Sequence, residues 1–349
     1  MTYRSGLVVG KFCPLHKGHE LLINTAIEAC EQVVVISYAK PGYARCERDQ
    51  RDRWLSDIFP SVIHLVIDDA WLRALAAQDR NLRFTEVPHD DEPELTHRTF
   101  TAWVCHDLMG QTVDAVFTSE DYGNGFAEVL TEYFRAHKAQ SMPVRHICVD
   151  KPRLSLPICG TEIRADPFKH RSYLSPEVYA DFVDRIVVFG GESSGKTTLC
   201  EALAERLNTP WVPEYGRELW DKKGGGLELS DMSIIADTQI RREAELTAHA
   251  RKFLVCDTSP LTTLFYSHEM FGVAPPGLEQ QAQRCYKHTF LCAPDFPFVQ
   301  DGTRRDTAFR DKQHAWYVAE LAARDIDYTL LQGDVETRVS TVLDKVHGS

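Results

Sequence analysis

Two short runs in this chain carry residue types suited to handling phosphate. The first is Gly10-Lys11-Phe12-Cys13-Pro14-Leu15-His16-Lys17-Gly18-His19. Its two histidines, at the turn where a strand enters a helix, can both aim ring N–H donors at one anionic group. Gly18 lets backbone come close to that group, and Pro14 stiffens the turn. The second run is Gly190-Gly191-Glu192-Ser193-Ser194-Gly195-Lys196-Thr197. Its glycines allow successive backbone N–H groups to curl around phosphate oxygens, and the helix that follows adds a favourable dipole. Lys196 then reaches the β- and γ-phosphates, and the Thr197 hydroxyl holds Mg²⁺. Gly190, Ser193, Ser194, Gly195, Thr197 and Thr198 are the expected nucleotide contacts. The spacing predicts a nucleoside triphosphate site in the second half and a further phosphate site in the first.

Both runs need a strand before them and a helix after them. Leu7–Val9 leads into the first, and an amphipathic stretch through Leu22, Ala26 and Ala29 follows it. Ile186-Val187-Val188-Phe189 leads into the second, and Leu199 to Leu207 continues with helical periodicity. Further strands are predicted at Val33–Ile36, Ile63–Ile67, Val113–Phe117 and Val144–Val149. The helices between them are expected at Glu20–Cys30, Arg48–Ile58, His97–Leu108 and Gly125–Ala136. The alternation restarts at Ile186, with strands at Phe253–Cys256, Thr289–Cys292 and Tyr328–Leu331. The fold class is therefore α/β, two doubly wound parallel-sheet domains over 1–183 and 184–349, with ligands at the carboxyl ends of the strands. No Gly/Ser-rich linker joins them, and so short a junction should fix one against the other. Asp90–Glu94 reads as a solvated charged loop.

At 349 residues the chain is long enough for two cores, and 43% hydrophobic with 26% charged residues is ordinary for a globular protein. A net charge of -12 argues against a sequence-independent nucleic-acid binder. The ten cysteines form no Cys-x-x-Cys pair, and Cys148, Cys256 and Cys292 fall in strand-like runs. That pattern suits reduced, buried thiols in a cytoplasmic protein. No signal-peptide core and no membrane-length apolar stretch is present. Small molecules are the expected partners, without nucleic acid or membrane, and a homo-oligomer is left open.

In the second half, Glu214 in Trp211-Val212-Pro213-Glu214-Tyr215-Gly216-Arg217-Glu218 and Asp257 in Val255-Cys256-Asp257 both follow strand-like pieces. Asp257 suits holding Mg²⁺, and Glu214 suits a base or hydroxyl clamp on an acceptor, worth about 10² to 10⁴ in rate. The two could exchange roles. Tyr215 and Arg217 are candidate substrate contacts. Arg304, Arg305 and Arg310, in and after Asp301-Gly302-Thr303-Arg304-Arg305-Asp306, offer planar forks for a spreading phosphoryl charge, ahead of a helix Lys312–Ala323. In the first half, Trp103 could stack on a flat heterocycle, while Trp54 reads as core. Asp121 and Tyr122, after the strand Val113–Phe117, are candidate substrate contacts. No third metal ligand lies near His16 and His19, which favours phosphate over a metal pair.

The first run resembles the Gly-x-Phe-x-Pro-x-His-x-Gly-His signature of the nucleotidylyltransferase superfamily. Ile158-Cys159-Gly160-Thr161-Glu162-Ile163-Arg164 resembles its Ile-Ser-x-Thr-x-x-Arg motif, with Cys159 where Ser is usual. The resemblance implies that a substrate phosphate attacks the α-phosphorus of ATP and expels pyrophosphate, with Mg²⁺ helping and no protein nucleophile. His16 and His19 would neutralise charge on the reacting phosphates. Lys11 and Arg164 would hold the triphosphate, Thr161 would cap a helix facing it, and Gly10, Lys11, Phe12, Gly18 and Thr161 would contact the nucleotide. The Arg304–Arg310 region resembles the lid of small P-loop kinases. Together with Gly-Gly-Glu-Ser-Ser-Gly-Lys and Glu-Tyr-Gly-Arg-Glu, the whole chain over residues 3–346 resembles the bacterial bifunctional NadR family. That resemblance implies a nicotinamide mononucleotide adenylyltransferase joined to a ribosylnicotinamide kinase, both using ATP and Mg²⁺. By the same resemblance Gly10, His16, His19, Thr161 and Arg164 carry the first activity. Gly195, Lys196, Thr197, Glu214, Asp257 and Arg304 carry the second. Some members add a helix-turn-helix repressor domain, and no operator-reading role is expected of these residues. Two alternatives stand beside this reading. One is a pantetheine-phosphate adenylyltransferase fused to dephospho-coenzyme A kinase, and the other is a nucleotide sensor without turnover.

Overall fold

The computed structural model describes residues 3–79, 81–119, 123–139, 142–149, 156–300 and 304–348. They form two compact units, Met1–Phe182 and Val183–Ser349. Unit one holds β1 (Tyr3–Gly10), β2 (Cys30–Tyr38), β3 (Ile63–Ile67), β4 (Ala115–Thr118) and β5 (Arg145–Cys148) in one parallel sheet, ordered β3-β2-β1-β4-β5. Unit two holds β6 (Asp184–Gly190), β7 (Trp211–Val212), β8 (Phe253–Asp257), β9 (His288–Cys292) and β10 (Thr329–Leu331), ordered β10-β9-β6-β8-β7. The expected architecture is present in both halves. In each, the strand that leads into a phosphate run is central: Leu7 pairs with Val34 and Val116, and Val188 with Asp257 and Phe290. Central parallel strands are covered by helices on both faces, which is why they read as unbroken apolar runs.

Several boundaries move, each for a local reason. The first helix is Lys17–Ala29, because Cys30 already belongs to β2. The stretch expected at His97–Leu108 is an α-helix Glu94–Trp103 followed by a π-helical turn Val104–Leu108. Glu94 therefore opens a helix instead of closing a solvated loop. A helix at Asp69–Gln78, capped by the Asp68 side chain on the Trp71 N–H, and a long helix at Leu229–Thr247 were not anticipated. Leu199, Leu203, Val339, Val342 and Val346 pack on Ile186, Val188 and Val255 to form one core in unit two. Trp54 is fully buried, as expected, and its Nε1 donates to Asp181 at 2.6 Å. All ten cysteines are free thiols, but Cys148 and Cys285 are exposed rather than buried. Among the described residues, no helix is long and apolar enough to cross a membrane.

Candidate active sites

In the first unit the chain leaves β1 at Gly10 and turns sharply. A Cβ on Gly10 would lie 2.7 Å from the Phe12 ring, so only glycine lets that ring tuck beneath the strand end. Phe12 is fully buried at φ +49° and stands perpendicular to the His19 ring, with centroids 5.0 Å apart. It supports the site from below, which corrects the expectation of a nucleotide contact. His19 stacks on His16 at 3.7 Å and 25°. His16 is the N-cap of the helix Lys17–Ala29, and its Nδ1 accepts the Gly18 N–H at 3.1 Å. That bond assigns the His16 proton to Nε2.

Arg164 completes this constellation from the helix Gly160–Ala165. It donates to Thr161 Oγ1 at 3.0 Å and to the Cys13 carbonyl, and its guanidinium lies 4.0 Å above the Tyr43 ring. Thr161 is thus a partner of Arg164. The cap expected of it falls to Cys159, whose N–H donates to Glu162 Oε2 at 3.1 Å. Lys11 pairs with Asp90 at 2.6 Å, so the loop read as merely solvated holds the counter-charge of a site lysine. Gly10, Lys11, His16, Gly18, His19, Thr161 and Arg164 line one cavity of about 460 Å³. Sequence reading missed Arg51. It is 3% exposed, and it donates to Ser37 Oγ at 2.7 Å and to the Lys11 carbonyl at 3.2 Å, fixing the loop from behind. Trp103 does not face the cavity. It is buried against Phe84 and Phe100, because the helical register turns it into the core and away from the strand ends. Asp121 and Tyr122 lie outside the described residues.

In the second unit, the phosphate loop leaves β6 through Gly190 at φ +157°, Ser193 at φ +57° and Gly195 at φ +81°. A Cβ on Gly191 would meet the Arg310 carbonyl at 2.7 Å, so close approach demands glycine there. Lys196 Nζ and Ser194 Oγ donate to the Gly191 carbonyl at 3.1 and 2.8 Å, preforming the loop. Arg338, 1% exposed and also missed in the sequence, holds it from beneath by donating to the Ser194 carbonyl at 2.7 Å.

Asp257 ends β8 beside this loop. Its Oδ2 accepts the Thr197 hydroxyl at 2.6 Å, while its Oδ1 is buried with no hydrogen-bond partner. Burial, and then the Glu214 carboxylate, push the Asp257 pKa up to about 6 against the pull of Lys196. A buried carboxylate oxygen lacking a donor, next to a hydroxyl and a triphosphate loop, fits a hard divalent cation that keeps waters and phosphates as its other ligands. Glu214 occupies the N-cap of the helix Tyr215–Lys222 but makes no cap hydrogen bond. Its side chain instead lines a cavity of about 200 Å³ shared with Lys196, Arg217, Arg304 and Arg305. The long helix Leu229–Thr247 supplies Gln239, which accepts the Tyr215 N–H at 3.1 Å and donates to the Asp257 carbonyl at 3.4 Å. It ties the two acidic positions together, and a single buried Gln in a helix gave no sequence signal.

Two expected contacts in this unit turn out to be supports. Tyr215 is covered by Arg242, 4.7 Å above its ring, because Glu218 clamps that guanidinium with two hydrogen bonds. Arg310 is 8% exposed and donates to the Phe296 carbonyl at 2.8 Å, bracing the loop instead of facing the cavity. Thr198 is exposed in the first turn of the helix Lys196–Leu207.

The family described as an AAA domain matches residues 185–338. The Trifunctional NAD biosynthesis/regulator protein NadR of Salmonella typhimurium is 27% identical over 306 residues, covering 86% of this chain and 71% of that protein. Its Escherichia coli counterpart is 28% identical over 311 residues with the same coverage. Two crystal structures of NadR protein, one in complex with NR and one with NAD and AMP-PNP, have the same fold. They superpose with TM-scores of 0.65 and 0.66 at 19% and 18% identity, covering 99% of this chain and 96% of each of those.

Proposed function

We propose that this chain belongs to the NadR family and is a bifunctional enzyme of NAD salvage. Its second unit phosphorylates ribosylnicotinamide with ATP, and its first unit adenylylates the resulting nicotinamide mononucleotide with a second ATP to give NAD and pyrophosphate. The observation that carries the reading is the coexistence, in one chain, of a stacked His16–His19 pair with Arg164 in one cavity, and of Lys196 with Glu214 in another, beside a phosphate loop whose Thr197 is bonded to Asp257. NadR relatives match across 86% of the chain.

The chemistry follows from the geometry. In the second unit the loop N–H groups and Lys196 would hold the triphosphate, and Glu214 lines the cavity that would take the riboside 5′-hydroxyl. Thr197 and Asp257 are the residues that would hold Mg²⁺, which neutralises phosphate charge when bound. Arg304 and Arg305 supply donors to the moving phosphoryl group. In the first unit no protein nucleophile is needed. His16 Nε2–H, His19, Lys11 and Arg164 collect charge as the mononucleotide phosphate attacks the α-phosphorus. The phosphate installed in one unit is the nucleophile required in the other.

Incubation with ATP, Mg²⁺ and either ribosylnicotinamide or phosphopantetheine, followed by mass analysis, tests the reading. NAD from the first mixture is expected. Dephospho-coenzyme A from the second with no NAD from the first would establish the coenzyme A alternative, and no product from either would leave a sensor.

A further inference from the structure

A carboxylate inside a phosphate loop is electrostatically out of place. Glu192 sits between Gly191 and Ser193, in a loop built to collect anionic oxygens, and it is only 9% exposed. Like charge at that range is costly in a partly desolvated cavity. Its surroundings show how both carboxylate oxygens are used. Oε2 accepts the backbone N–H of Arg305 at 2.8 Å, and Oε1 accepts the Tyr266 hydroxyl at 3.1 Å. The Glu192 backbone N–H donates to Gln313 Oε1 at 2.9 Å, from the helix Thr307–Ala323. Next to it, Ser193 Oγ accepts the Val299 N–H at 2.9 Å and Arg304 Nη1 at 3.3 Å. Two neighbouring loop residues therefore grip the segment that carries the arginines.

We propose that Glu192 is a positioning residue for phosphoryl transfer, latching the segment 304–306 to the phosphate loop so that Arg304 and Arg305 are aimed into the cavity. The inference rests on the kinase reading of that cavity. Arginine side chains are long, and a main-chain anchor at residue 305 fixes where both begin. Misplacing a catalytic donor by about 1 Å costs on the order of 10²-fold in rate. The latch needs reach and acceptor geometry but not charge. A glutamine at 192 could accept the Arg305 N–H through its amide oxygen and donate its N–H to the Tyr266 oxygen.

The test uses the full chain with Glu192→Ala and Glu192→Gln. The Ala variant should lose about 10²-fold in kcat for riboside phosphorylation, with KM for the riboside within about threefold of wild type. Its Arg305 amide should exchange with solvent at least about tenfold faster. The Gln variant should stay within about threefold of wild type on both measures. Impairment of Gln equal to that of Ala would overturn the latch in favour of a role for the charge itself. Unchanged Arg305 exchange in the Ala variant would overturn it outright. If Ala disrupts the fold, seen as lost protection in β6 and β8, the Gln variant decides alone. Adenylyl transfer by the same preparations should not change. Wild-type protein unable to phosphorylate the riboside would sink the functional reading, while Arg305 exchange would still decide the latch.

Discussion

Replacing Asp257 with Asn should stabilise the ligand-free protein while crippling its kinase. The buried carboxylate is raised from the ordinary value of 3.8 to about 6, first by burial and then by Glu214. Keeping it ionised at neutral pH therefore costs roughly 3 kcal/mol. Asparagine removes that cost and can still accept the Thr197 hydroxyl. Its amide N–H, however, would occupy the place of the unpartnered Oδ1 and cost about 1–2 kcal/mol if unsatisfied. The net gain is about 1–2 kcal/mol, or some 2–4 °C in Tm per kcal/mol for a unit of this size. The sign with pH follows from linkage. A folded-state pKa raised above the unfolded one makes wild-type stability fall as pH rises from about 4 to about 6, and stay flat beyond. The variant lacks that slope, so its advantage should be full at pH 8 and vanish towards pH 4. Calorimetry of the full chain across that range, without ligand, reads it from the transition that the substitution moves. Added ATP with Mg²⁺ should then raise wild type more than the variant. An Asn variant less stable than wild type at pH 8 without ligand would refute the view of Asp257 as a strained, cation-ready carboxylate.

Three further outcomes are expected. In the same Asp257→Asn variant, raised Mg²⁺ should recover part of the kinase rate, whereas Glu214→Gln, expected to lose about 10² to 10⁴ in rate, should not be rescued; equal rescue in Mg²⁺ titrations would overturn the role assignments. His19→Ala should lower adenylyl transfer by about 10² and spare riboside phosphorylation, and Lys196→Ala should do the converse; separate assays in which either change abolished both activities of a folded protein would refute the two-site arrangement. Gly10→Ala should push the Phe12 ring against His19 and lower adenylyl transfer by roughly tenfold with the kinase unchanged; an unaltered adenylyl rate would show that Phe12 does not position His19.

What the sequence determined by itself was local. A glycine loop between an apolar strand and a helix needs few neighbours to be recognised, since backbone geometry and the special φ of Ser193 and Gly195 are properties of the run. The same holds for Gly10 through His19 and for the strand–helix alternation that implies two parallel sheets. Packing decided the rest, because the direction of a side chain depends on what lies beyond its own element. Trp103, Phe12, Tyr215 and Arg310 are of types that bind nucleotides, yet their registers turn them into the core or under a neighbouring arginine. Conversely, Arg51, Gln239, Arg338 and Glu192 carry no pattern along the chain. They matter because residues 14 to 144 positions apart are brought within hydrogen-bond distance. The raised pKa of Asp257 belongs to the same class. Its type and place at a strand end were legible, but its charge state depends on burial and on Glu214, which only the folded chain brings together.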